Sequence, residues 1–517
     1  MSDFINGNES AKTYSTERRL CPERVENSCE YVLPDYMGDV KRVLKYSATP
    51  SPCDVFEGSD EVTFLSIICY RVLYVDHEDL LREASFTSEA EINVPRCQSC
   101  TDHEIELVAD NVTIRLAGPR KICARASVIA QICEVIELPI PECALPAEAE
   151  RLTVSLPVYT AGYSKGEERE YADEIGRLPG VGCEEVELIS TEAIPYVISA
   201  KMTDGGVESE AYALVRVLLS SHGEIISLEK RIPLDKMIGT EGFIGEDATP
   251  SVRFYIKDVT ANLNNGAIDS GAASMYTSVV VSFTAESILR IEKNEQISVV
   301  TDAFVPDMEN NCEYGKFTYR DRVCSLTERR GVSCESKLPE VLIRTVTSVD
   351  ADVRGVSWTA VDGGVKLEAE VTFRVIFCGA EEGQIWCERY STTIEEELRS
   401  KEICDDCTVY GKLTLCDCRV SFDAERVYCS ATAQISASAE REMSESILAA
   451  FGAQTRENAA PPSVTVYYPD ATDSVWSIAK RYAVSTGSIR ENNALADIED
   501  KAPLGALADH PMIIVSM

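Results

Sequence analysis

Up to Leu448 the chain is dominated by short runs of alternating apolar and polar residues separated by polar turns, the period of antiparallel strands with one buried face. The pattern recurs three times. Each copy opens on a Leu-Pro pair, Leu33-Pro34, Leu178-Pro179 and Leu338-Pro339, and then reaches a strand of one type: YRVLYV from Tyr70, VRVLLS from Val215 and FRVIFC from Phe373. The step from proline to strand arginine is 37 residues (34 to 71), 37 (179 to 216) and 35 (339 to 374). A polar turn follows, DHED, SHGE or GAEEG, and after it a further alternating run. Asp204-Gly205-Gly206 and Asp362-Gly363-Gly364 mark a tight turn before the arginine strand, where glycine tolerates positive φ.

Helical periodicity is scarce in these copies, so the expected fold class is mainly β, with three repeated antiparallel β-sandwich-like domains. The expected boundaries are 1–29 for an N-terminal segment, 30–147, 148–310 and 311–448 for the repeats, and 449–463 for a linker. Within them, 138–177 and 308–337 read as connectors with room for a strand or a short helix. The second copy carries a Gly/Asn/Ser-rich loop, NLNNGAIDSGAASMY. The stretch AAFGAQTRENAAPP has the composition of an extended tether.

From Val464 the period changes. A strand, VTVYY, is followed by the turn PDATD, then Val475, Ile478, Ala479 and Tyr482 at i, i+3, i+4 and i+7, one face of a helix over 474–482. A second short helix over 487–492 and a closing strand MIIV from Met512 complete a small βααβ unit over 464–517. Asp473 or Ser474 caps the first helix and Ser485 the second.

This tail resembles the LysM family, whose pattern is matched by Asp473, Ser474, Val475, Trp476, Ser477, Ile478, Ala479, Tyr482, Val484, Ser485 and Asn493. Thr472 stands where that family has glycine, Asp509-His510 replaces Gly-Gln, and the loop ADIEDKAPLGALADHP is longer than usual. The resemblance implies a groove for N-acetylated glycans, lined in that family by the loops that are altered here, which weakens the carry-over of sugar binding. The groove residues it implies are Asp473, Ser474 and Val475 at the first helix start, with Asp509 and His510 facing them. Three β-rich repeats and one LysM unit look like the SipL-type spore-morphogenesis family with its SPOCS domains. YVLPDYMGDVKRVLKYSA and the TDAF at Thr301 have the character of that family's domain junctions. What the family implies is docking, through the LysM unit, of the ATPase that polymerises as the basement layer of the spore coat. The resemblance places that docking on the mother-cell side of the forespore surface.

Charge narrows the partners. With 49 basic and 86 acidic residues the formal charge is −37, which opposes direct binding to nucleic acid or to an anionic membrane. No run reaches the length of a membrane span, and the polar start MSDFINGNESAKTYSTERRL lacks the apolar core of a secretory signal. The expected compartment is the cytoplasm, where the twenty cysteines are thiols, or disulfides formed late in assembly.

Candidate chemistry is sparse. Cys97-x-x-Cys100 and Cys404-x-x-Cys407 occupy the same place in copies one and three, with Cys123 and Cys429 downstream, and Cys416-x-Cys418 could help surround zinc. The second copy has only Cys183, so the repeat fold does not require a metal. No metal and no cofactor is expected. Of four histidines, His77 and His222 fall in equivalent turns, and neither they nor His103 or His510 accompany a nucleophile motif. Arg71, Arg216 and Arg374 sit on alternating strands, where an arginine points outward and pairs across strands, a binding role being the other reading.

The expected function is a non-catalytic scaffold of spore-coat assembly, not an enzyme. Its β units act as spacers with self- or partner-binding surfaces, and an autonomous terminal unit docks the coat ATPase. The competing reading is a wall protein that binds peptidoglycan or chitin through the LysM groove.

Overall fold

The computed structural model describes residues 12–166, 168–239, 248–267, 275–339, 341–381, 384–455, 464–470, 472–495 and 512–516. The protein is mainly β and built of antiparallel sheets. In the first unit these come from β1 (Thr13–Arg19), β2 (Glu23–Val32), β3 (Val40–Glu57), β4 (Glu61–Asp76), β5 (Leu81–Pro95), β6 (Cys100–Gly118) and β7 (Lys121–Pro139). One sheet has β4 between β3 and β5; in the other, β7 is flanked by β6 on one side and by β1 and β2 end to end on the other. Pro22 lies in the gap between β1 and β2, where a missing N–H interrupts the ladder.

The same order recurs. The second unit comprises β8 (Glu150–Lys165), β9 (Arg169–Pro179), β10 (Val186–Thr203), β11 (Gly206–Ser221), β12 (Glu224–Pro233), the two-residue β13 (Met237–Ile238), β14 (Thr249–Ala267) and β15 (Met275–Phe304). Here β11 lies between β10 and β12, and β15 between β14 and the pair β8, β9. The third unit has β16 (Met308–Lys337), β17 (Ile343–Val361), β18 (Gly364–Gly379), β19 (Ile385–Arg399), β20 (Thr408–Phe422) and β21 (Arg426–Thr455). There β18 lies between β17 and β19, and β21 between β16 and β20; β16 does in one 30-residue strand what two strands do elsewhere.

In each unit the two sheets share one core. Alternate residues Ile122, Ala124, Ala126, Val128, Ala130 and Ile132 of β7 face Phe64, Ile68, Tyr70 and Tyr74-side residues of the opposing sheet, each large side chain contributing about 1.5–3 kcal/mol by burial. The repeated Leu-Pro pairs mark the crossover between sheets: Leu33 and Leu178 are buried, the Leu33 and Leu338 amides still bond across at 2.9 Å, and the prolines that follow have no N–H to extend the ladder. Gly206 and Gly364 are required by close approach, since a Cβ there would lie 2.4 Å from the Ile238 and Leu398 carbonyl oxygens. His222 and Gly223 both have positive φ, at 50° and 75°, which makes SHGE a two-residue hairpin turn.

The sequence reading placed 13–29 before the first unit, but β1 and most of β2 lie there and pair with β7. Their polar character reflects an edge position with one solvated face. The connector over 308–337 is β16, that over 138–177 contains β8 and most of β9, and residues 449–455 are the end of β21 paired with β16 rather than tether. Residues 456–463 and 268–274 lie outside the described residues.

The units also close on one another. Leu44, Leu73, Val75 and Leu81 of the first, Ile189 and Leu218 of the second, and Ile376, Cys378 and Ile385 of the third form one apolar cluster. Around it β5 meets β10, β12 meets β17 and β19 meets β3, a head-to-tail ring. The three arginines lie in this junction and pair both within and between units. Arg71 is 2.6 Å from Glu83 and 3.8 Å from Glu192; Arg216 is 3.0 Å from Glu229 and 2.7 Å from Asp350; Arg374 is 2.8 Å from Asp352 and donates to the Tyr46 carbonyl at 3.0 Å. Each thus reaches the next unit, at or beside the position that faces that unit's own arginine: Glu192 opposite Arg216, Asp350 opposite Arg374, Ser47 opposite Arg71. The first unit lacks an acid at Ser47, and Lys45 instead pairs with Asp350. A cavity of about 20 Å³ at this junction, lined by Lys45, Arg71, Arg216, Glu83 and Glu192, has room for one water.

A second junction joins the other three sheets. Tyr14, Leu156, Val158, Ile297, Val299, Phe317, Tyr319 and Ile447 cluster there. Beside them Arg19 pairs with Glu440 (3.0 Å), Arg290 with Glu17 (2.7 Å) and Glu292 (2.8 Å), and Arg320 with Glu440 (3.2 Å). Spacers strung out for reach are therefore not what is seen. Among the described residues no helix is long and apolar enough to cross a membrane.

Candidate functional site: the terminal module and its seat

The terminal module is built from β22 (Val464–Tyr467), α1 (Val475–Tyr482), α2 (Thr486–Asn493) and β23 (Ile513–Ser516), with β22 and β23 antiparallel. Its local logic is explicit. The Ser474 hydroxyl accepts from the Ser477 amide at 3.2 Å while Ser477 Oγ accepts from the Ser474 amide at 2.8 Å, a reciprocal cap at the start of α1. Ala483 in the left-handed region ends α1 at φ 54°, and Ser485 caps α2 through the Ser488 amide at 3.1 Å. Asn493 acts as a strand partner in miniature: its amide donates to the Ile514 carbonyl and accepts from the Ile514 N–H, both at 2.7 Å, tying α2 to β23. Val475, Ile478, Ala479, Val484, Ile489, Leu495, Ile513 and Val515 form the core.

That core is not closed within the module. Phe304 at the end of β15 is part of it, and Leu152 of β8 packs against it. Trp476 and Lys480 on α1, at i and i+4, with the cap residue Ala483 that ends it, form the seat. Trp476 meets Phe304 edge-on with ring centres 5.0 Å apart and donates through Nε1 to Asp302 at 2.8 Å. Lys480 Nζ lies 2.5 Å from the Asp302 carboxylate and 3.0 Å from the Tyr314 hydroxyl, which itself donates to Asp302 at 2.8 Å. The Asp307 amide donates to the Ala483 carbonyl at 2.8 Å. Glu150 of the body places both carboxylate oxygens 3.1 Å from the Thr486 amide, an anion on the N-terminus of α2. Burial opposes ionisation of Asp302, but hydrogen bonds from Lys480, Trp476 and Tyr314 outweigh it and hold the carboxyl below the usual range. The TDAF at Thr301, read from sequence as a junction motif, is where the module sits; the autonomy expected of the module is not found.

The residues expected to line a groove divide. Asp473 is 5% exposed and accepts from the Tyr467 hydroxyl at 2.6 Å and the Asp470 amide at 2.9 Å, so it organises the turn before α1. Ser474 is the cap and Val475 is buried in the core. Asp509 and His510 lie outside the described residues. What the sequence reading missed is the outer face of the small sheet. Val464, Val466, Tyr468, Met512 and Ile514 are all exposed, Tyr468 at 70%, with Val466 directly opposite Ile514. The signal was present in VTVYY, whose alternation leaves valines on the side away from the core.

Among the described residues no group of three or more His, Cys, Asp or Glu is placed to share a metal ion, and all twenty cysteines are free thiols. His77 and His222 lie in hairpin turns. No family model matches the chain, and no curated protein or solved structure matches it.

Proposed function

We propose that the chain is a non-catalytic scaffold of spore-envelope assembly, built of three copies of one SPOCS-type β-sandwich domain and a LysM domain that grips the coat-basement ATPase. The observation that carries this reading is the exposed apolar face Val464, Val466, Tyr468, Met512 and Ile514 on a module whose other side is fastened to the body. Contiguous exposed apolar surface of this kind marks protein contact. The recurrent strand order and the LysM-like capping residues support the family resemblance. Fastening matters to the mechanism. A module of fixed orientation loses less freedom when it binds, and many such chains on a polymerised lattice gain further from effective concentration. The cytoplasmic, mother-cell side of the forespore is where such a lattice would recruit it.

The test is recovery of the ATPase from solution by the full chain, by V466K and Y468A, by D509A and H510A, and by the chain lacking 464–517. Loss of recovery on deletion and at least a tenfold weakening for V466K, about 1.4 kcal/mol, is expected. Equal recovery without the module would overturn the reading, and saturable binding of N-acetylglucosamine oligomers by the full chain would favour a wall-binding protein instead.

A further inference from the structure

Two cysteine pairs sit on turns of one geometry. The Cys100 amide donates to the Cys97 carbonyl at 3.2 Å, and the Cys407 amide to the Cys404 carbonyl at 3.1 Å, each closing a β-turn with a thiol at both ends. The first and last Cα of such a turn are within about 7 Å, which overlaps the separation of about 4.4–6.8 Å that a disulfide needs. The turns differ in their surroundings. Cys97 and Cys100 are both partly exposed at the start of β6, with Cys97 Sγ 3.3 Å from the Ser99 hydroxyl and Cys100 Sγ 3.2 Å from the Asp102 carbonyl. The turn is anchored by the Glu137 amide on the Ser99 carbonyl (2.9 Å) and by the Thr101 hydroxyl on the Val135 carbonyl (3.2 Å), so its ends are held in place. Cys407 is buried, in a cluster with Val365, Ile403, Ala437 and Ala439.

We propose that Cys97 and Cys100 form a dithiol site that reacts with small-molecule or protein disulfides, Cys97 attacking and Cys100 closing an intramolecular bond. The ionic surroundings agree with this division of labour. The Ser99 hydrogen bond, against a burial cost and with help from the Arg18 guanidinium, holds the Cys97 thiol below its ordinary range, whereas burial beside Glu134 pushes Cys100 up to about 11. In the first step the Cys97 thiolate attacks one sulfur of a disulfide RSSR, the S–S bond breaks, and RS⁻ leaves and takes up a proton. In the second, Cys100 gives up its proton and attacks Cys97 Sγ, expelling the second thiolate, which is protonated in turn. Two protein thiols are oxidised and one RSSR is reduced to two RSH. The second unit has no such pair, and in the third the closing thiol, Cys407, is buried while only Cys404 is partly exposed, so the activity is assigned to the first unit.

The experiment uses the full, pre-reduced chain with limiting oxidised glutathione, acid quenching, and peptide mapping by mass spectrometry over time. The Cys97–Cys100 disulfide should form at least about tenfold faster than glutathione adducts at the exposed Cys21 and Cys53, with Cys404 and Cys407 still reduced. C100S should accumulate glutathione on Cys97. Modification of Cys97 no faster than of Cys21 and Cys53 would overturn the proposal. So would equal oxidation of Cys404 and Cys407, or absence of the trapped adduct in C100S.

Discussion

Two aspartates decide how the parts of this chain are joined. Asp350 receives Arg216 and Lys45, one from each of the other two units, and burial there is offset by those cations, which keep its carboxyl well below the usual range. Removing one member of a buried ionic group leaves the others uncompensated, so D350N is expected to cost about 3–5 kcal/mol, read as a fall in denaturation midpoint. A hydrophobic replacement of the whole group could be neutral, because such networks confer register more than net stability. Asp302 plays the corresponding part for the module. Since its folded pKa is depressed, the stability it supplies is complete above the unfolded value near about 4 and is lost as pH falls through the folded one. Hydrogen exchange of α1 should therefore rise sharply below about pH 4 and, in D302A, already at neutral pH, with β7 unaffected. The arginines themselves were legible as a recurrence in the sequence, and so was Trp476 as a motif residue. Their partners were not, because Asp350 lies 134 residues from Arg216 and Asp302 lies 174 from Trp476, distances that no local pattern encodes.

Strands and helices were the most readable level, since alternation and helical spacing are imposed by burial of one face and survive in the sequence. The arginine strands, the hairpin turns after the first two of them and both short helices fall where the periodicity places them. Edge strands were harder. β1, β2 and much of β16 carry charge on both sides of the alternation, so they read as a leading segment and a connector. The turn glycines give a direct check. In G364A the new methyl would meet the Leu398 carbonyl oxygen, and the substitution should destabilise the third unit by more than about 1 kcal/mol, whereas G363A should strain only the turn, where φ is 84°. Proteolysis confined to 308–455 would show that the damage stays in that unit.

At the scale of the whole molecule, the ring of three units and the seated module turn what the sequence suggests is a string of spacers into a platform. The closure arises from apolar residues on the outer faces of the arginine-bearing sheets, Leu44, Leu73, Leu218 and Ile376 among them, which a reader of alternation alone would assign to each unit's own core. The functional proposal depends on this closure, because a module presented by a rigid body engages a lattice in one orientation, and a module on a string of spacers does not. Small-angle X-ray scattering of the full chain tests it most directly. A compact 517-residue particle should have a radius of gyration of about 24 Å, with the bell-shaped Kratky profile of a single body. A value above roughly 35 Å with a plateau at high angle, as separately tumbling units would produce, would contradict the account.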